Sequence, residues 1–163
     1  GSVPTPAQTT GSMVSELAPH TSTHWVTGTA GPCISIFKPF LLDAPLTSHE
    51  APPTDRFDAK CLWWRHEQLH RAIVLGKFGH FLDEISRERA ELEANFRVGM
   101  ASVLNGGNQV DRARAVAECW REATVMEQAW IARVDVPSKL DATEYVSGWD
   151  EMNRLAGVYP APS

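Results

Sequence analysis

Three prolines, Pro45, Pro52 and Pro53, stand between Leu41 and Lys60, and they make that stretch a loop that no helix can cross. A proline inside a helix loses a backbone donor and clashes with the preceding turn. The chain therefore splits into two halves with different hydrophobic rhythms. Before the prolines, His24-Trp25-Val26-Thr27 and Cys33-Ile34-Ser35-Ile36-Phe37 are β-prone runs on either side of Gly31-Pro32, a turn signal. Ser12 to Phe40 reads as three short strands, with Lys38-Pro39 terminating the last. Arg56 to Val134 reads as mostly helical. The class expected is α+β, with short antiparallel strands followed by a long antiparallel helical hairpin.

The helical half is periodic. A first helix from about Leu62 to Leu75 places Trp63, His66, Leu69 and Ile73 near one face, and Gly76 and Gly79 end or kink it. A second carries Phe78, Leu82, Ile85, Leu92, Phe96 and Val103, with Glu84, Arg87, Glu88, Glu91 and Glu93 on its outer face. Asn105-Gly106-Gly107-Asn108 breaks it. A third places Val116, Ala117, Trp120, Ala123, Glu127, Trp130 and Val134 on one stripe. So short a connection between long amphipathic helices predicts an αα-hairpin. Residues 135–163 form a weaker tail, where Tyr145, Trp149, Met152 and Leu155 suit one short helix and Tyr159-Pro160-Ala161-Pro162 a frayed end. Residues 1–10, rich in Pro, Thr and Ser, read as a flexible lead-in.

Composition limits the function classes. A net charge of -5 over 163 residues argues against a nucleic-acid surface. No apolar run approaches a membrane helix, so no membrane partner is expected. Six tryptophans suggest aromatic anchors in a core or at an interface. Cys33, Cys61 and Cys119 form no C-x-x-C pair and read as reduced thiols, which suits a cytoplasmic protein.

Several residues invite chemical readings. His66-Glu67-Gln68-Leu69-His70 matches H-E-x-x-H, which would make a zinc peptidase if both imidazoles held one ion. Arg65 and Arg71 flank the motif and no G-x-x-H continuation follows, so no metal is expected there. Cys33 opens a β-prone run and reads as a small buried thiol; Cys61 and Cys119 read as packing residues. Gly106-Gly107 lacks the lysine of a phosphate loop and reads as a turn. Thr27, Gly28 and Thr29 form the one polar cluster kept as a candidate substrate-binding surface, because a glycine between small hydroxyls allows close backbone approach to a ligand. A plain hairpin turn is the alternative. No Ser-His-Asp set can be assembled from spacing alone.

Three blocks, in order, resemble the secernin-like cysteine dipeptidases, members of the N-terminal-nucleophile hydrolases. They are Thr9-Thr10-Gly11-Ser12-Met13-Val14-Ser15-Glu16-Leu17, the stretch from Thr23 to Phe40, and Leu62-Trp63-Trp64-Arg65-His66-Glu67-Gln68-Leu69-His70-Arg71. The resemblance implies an αββα sandwich and hydrolysis of a small peptide or amide by a cysteine at the start of the mature chain. That cysteine's own amine would be the base, and no cofactor would be needed. This chain begins Gly1-Ser2, so it corresponds to the C-terminal segment only, carries no catalytic residue, and is expected to be inactive alone. Its expected partners are the missing N-terminal half or a second copy. The alternative is a non-enzymatic interaction module built on the helical hairpin and exposed tryptophans.

Overall fold

The computed structural model describes residues 9–19, 21–44, 52–76, 79–134 and 144–158. Among these residues three strands, β1 (Met13–Glu16), β2 (Thr23–Val26) and β3 (Lys38–Phe40), precede four helices, α1 (Leu62–Gly76), α2 (Gly79–Gly106), α3 (Gln109–Arg133) and α4 (Glu144–Ala156). The class is α+β, with a small antiparallel sheet ordered β1-β2-β3. Val14 pairs with Trp25, and Trp25 with Pro39.

The third strand is displaced from where its β-propensity put it. Cys33 to Phe37 is not a strand; the chain turns there, with Ile34 N–H bonded to Gly31 O at 3.0 Å. Lys38-Pro39 does not terminate a strand but lies within one. Two local forces override propensity. The Ser35 hydroxyl competes for backbone carbonyls of the turn. Pro39 needs no donor, because its edge of β3 faces away from β2.

The break between α2 and α3 falls where the Asn-Gly-Gly-Asn run sets it. Asn108 caps α3 by accepting from Val110 N–H and Asp111 N–H, and Asp111 returns a bond to Asn108 N–H, a complete capping box. The hairpin is antiparallel. Arg133, at the end of α3, grips Glu84 at 2.6 Å and Glu88 at 2.9 Å near the start of α2. Trp130 also donates to Glu88 at 2.7 Å.

The main core gathers Trp25, Ile36 and Leu41 from the strand half, Leu69 from α1, Phe81, Ile85, Leu92, Phe96 and Met100 from α2, and Val116, Ala123 and Trp130 from α3. The stripe of α2 runs through Phe81 and Met100 rather than through Leu82 and Val103, which are half-buried; Phe78 lies outside the described residues. On α3, Ala117 is exposed and Cys119 takes the inner place. A smaller cluster of Cys61, Trp64, Ala156 and Val158 joins α1 to α4. The short tail helix exists, but Trp149, Asn153 and Ala156 point inward and Leu155 is exposed. The frayed end and most of the lead-in lie outside the described residues.

The tryptophans are internal. Trp25, Trp64, Trp130 and Trp149 are buried and Trp63 and Trp120 half-buried, which corrects the expectation of exposed ones. Among the described residues no helix is long and apolar enough to cross a membrane.

Candidate functional site

The turn between β2 and β3 is held by Ser35. Its Oγ lies 3.1 Å from Ala30 O, 3.0 Å from Gly31 O, 2.9 Å from Thr29 Oγ1 and 3.0 Å from His66 Nε2. On the other side of the ring, His66 Nδ1 lies 3.0 Å from Glu127 Oε1. A serine from the turn, a histidine from α1 and a glutamate from α3 thus form one hydrogen-bonded line. Ser35 and His66 are 0% exposed and Glu127 is 1% exposed.

The Ser35 hydroxyl has one proton and several acceptors within reach, two of them backbone carbonyls. The His66 ring joins it to the Glu127 carboxylate, Nε2 meeting Ser35 Oγ and Nδ1 meeting Glu127 Oε1. Burial pushes the Glu127 carboxyl up, but the His66 hydrogen bond and the charges of His66, Lys38 and Arg65 outweigh it and hold it below the usual carboxylate range. Lys38 is itself buried; its Nζ donates to Ile36 O at 2.9 Å and lies 5.2 Å from the centre of the Trp120 ring. Among the described residues Glu127 Oε2 has no hydrogen-bond partner.

The spacing matches a serine nucleophile, histidine base and carboxylate orienter. The chemistry does not follow. A nucleophilic serine must meet a substrate, whereas Ser35 Oγ is fully buried and held against the carbonyls of Ala30 and Gly31. The line fastens the turn to α1 and α3.

A second buried group lies one turn along α1. Arg71 Nε donates to Glu67 Oε2 at 2.7 Å and Arg71 Nη1 to Asn153 Oδ1 at 2.9 Å. The guanidinium lies 5.1 Å from the Trp64 ring centre and 5.2 Å from that of Trp149. His70 Nδ1 stands 3.4 Å from Glu67 Oε1, at ion-pair distance but without hydrogen-bond alignment. Burial raises the Glu67 carboxyl, yet the nearby His70 ring and the Arg71 hydrogen bond and charge bring it below its ordinary value. Beside this group an open groove of about 420 Å³ runs between Trp63, Trp64, Arg56 and Met152.

The two histidines of the H-E-x-x-H motif face different partners, His66 toward Glu127 and Ser35, His70 toward Glu67. Among the described residues no group of three His, Cys, Asp or Glu is placed to hold a metal ion. Thr27 and Thr29 are both 0% exposed; each hydroxyl bonds the other residue's carbonyl at 3.4 Å. Of the three candidate binding residues only Gly28, at φ 64°, meets solvent.

Cys33 is exposed, against the expectation of a buried thiol, while Cys61 and Cys119 are buried as packing residues. Burial pushes the Cys119 thiol up to about 12. Cys33 lies on the outer side of the turn, where its carbonyl accepts from Arg89. Cys33→Ala is therefore expected to change stability by less than about 0.5 kcal/mol in a denaturant melt. Gly31→Ala behaves differently. Gly31 sits at φ 62°, and a Cβ there would lie 3.0 Å from His70 Cδ2. About 1–2 kcal/mol should be lost for the left-handed conformation alone.

Sequence reasoning missed Ser35 and Glu127. Glu127 carried a signal: it was the one carboxylate on an otherwise apolar stripe, and a buried carboxylate requires a partner. Ser35 carried none, because nothing in spacing tells a strand serine from a turn serine.

No family model, no curated protein and no solved structure matches this chain.

Proposed function

We propose that this chain is the C-terminal segment of a secernin-like cysteine amidohydrolase. In that reading an N-terminal cysteine outside these residues attacks a small amide or dipeptide bond, with its own α-amine as base and no cofactor. The observation that supports it is the convergence of the three resembling blocks. The first supplies β1, the second β2, the turn and β3, the third most of α1. Thr27 N–H to Ser12 O at 3.1 Å joins the first to the second, and Ser35 to His66 at 3.0 Å joins the second to the third. Residues far apart in sequence that carry one resemblance make one bonded unit. On this reading the sheet is part of one layer of an αββα sandwich and the α2–α3 hairpin covers it. Thr27, Gly28 and Thr29 then serve a substrate through the main chain at Gly28, with the two threonines as internal braces.

The test is thiol-dependent dipeptide hydrolysis. A protein extended through the coding sequence upstream of Gly1 to its first candidate N-terminal cysteine should turn over, and lose turnover when that cysteine becomes alanine. The 163-residue chain should be inactive, with or without Cys33→Ala. Turnover by the 163-residue chain that Ser35→Ala or Cys33→Ala abolishes would overturn the reading.

A second reading, a partner-binding module, is favoured by the β1 edge, beyond which no strand lies among the described residues. Of the exposed large hydrophobic residues, Met13, Val14 and Leu17 fall within or beside this one strand.

A further inference from the structure

The two edges of the sheet are treated oppositely. In an antiparallel ladder, alternate residues of an edge strand turn their N–H and C=O outward. Thr27 N–H bonds Ser12 O, so Ser12, Val14 and Glu16 face β2, and Met13, Ser15 and Leu17 turn outward. On β3 the outward residues are Phe37 and Pro39. Phe37 N–H is taken by Glu93 at 2.9 Å, Pro39 has no N–H, and Pro39 O is taken by Trp120 Nε1 at 2.9 Å. The β3 edge is closed to further pairing. On β1, among the described residues, no strand lies beyond the outward row. All four β1 residues are exposed, and Met13, Val14 and Leu17 are 64%, 55% and 81% exposed.

We infer that β1 pairs with β1 of a second copy of this chain, antiparallel, about a twofold axis at Ser15. The backbone and the charges select that register. Only outward residues can exchange hydrogen bonds, so Met13, Ser15 and Leu17 must meet one another. Centring on Ser15 sets Met13 opposite Leu17 of the other copy, two apolar side chains, and Ser15 opposite Ser15. Glu16 then faces Val14. Centring on Glu16 would oppose two carboxylates, which destabilises a sheet pair. Centring on Val14 would leave Leu17 unpaired. The strand is thus self-complementary in one register, as a twofold interface requires. The inference concerns the 163-residue chain alone; in the amidohydrolase reading a strand of the N-terminal half takes this same edge, so the two compete for it.

So small an interface belongs to the weak, transient class, below about 1,200 Å². Sedimentation velocity from about 10 µM to about 1 mM should therefore show a dimer fraction rising with concentration. Met13→Lys with Leu17→Lys should be monomeric, because like charges would face each other; Met13→Asp with Leu17→Asp should be monomeric too. Mixing the two variants should restore dimer, since Lys now faces Asp. All the altered side chains are exposed, so far-UV circular dichroism and thermal midpoints should stay near wild type. A wild type that is monomeric throughout, a dimer indifferent to the Lys pair, or variants that do not recombine would overturn the inference.

Discussion

His66→Ala is expected to lower folding stability by about 3–5 kcal/mol, because it leaves the Glu127 carboxylate buried and unpaired. Glu127→Ala should cost a similar amount for the complementary reason. The two losses should not add. A double replacement by apolar residues, His66→Leu with Glu127→Leu, removes both polar partners and should recover most of the stability lost by either single change. Denaturant unfolding of the wild type, the two single leucine variants and the double measures the coupling. If the two single losses simply sum, the line through His66 is not the bonded unit described. The pH dependence follows from the same pair. Glu127 and Glu67 are held below the ordinary glutamate value in the folded chain, so they contribute stability that is fully present above about pH 4.3. That contribution is lost as pH falls through their depressed folded values. Glu127→Gln should flatten this acid limb of the stability curve.

Arg71→Ala is expected to cost about 3 kcal/mol or more and to loosen α4 before the rest of the molecule. Arg71 is the hub between α1 and α4: it bonds Asn153 and lies between the rings of Trp64 and Trp149. Without it, Glu67 loses its guanidinium partner. Arg71→Lys retains the charge but cannot span Glu67 and Asn153 while stacking on both rings, so it should recover only part of the loss. Hydrogen exchange is the readout. Amides of α4 should lose protection in Arg71→Ala while those of α2 and α3 keep it. Uniform loss of protection would show that α4 is held by other contacts.

The helices were legible in the sequence because each carries several independent marks. Asn108 is a cap, Gly106 and Gly107 a break, and the apolar residues of α2 and α3 recur at helical steps. Propensity placed β2 well and misplaced the third strand, because Ser35 and Gly31 form a turn inside a β-prone run. Neither buried cluster was legible as a cluster. His66, Glu67 and Glu127 appeared as an H-E-x-x-H motif and an odd member of a stripe. What joins them is tertiary, a turn residue meeting two helices, and helical periodicity carries no information about that. The exposure of Cys33 was missed for the same reason: a strand would have put it inside, and the turn puts it out.

The lengths of chain enclosed by these contacts bear on the order of assembly. The α2–α3 hairpin closes across Gly107 and Asn108 alone, whereas Ser35 and His66 are 31 residues apart and His66 and Glu127 are 61 apart. Closing the longer loops costs more chain entropy, which must be spent before their contacts give anything back. The hairpin is thus the natural nucleus, and the line through His66 forms after the main barrier. Contacts made that late hardly affect how fast a chain folds; they govern how slowly it comes apart. His66 is then a latch: its loss should leave the refolding limb of a chevron plot nearly unmoved and raise the unfolding rate.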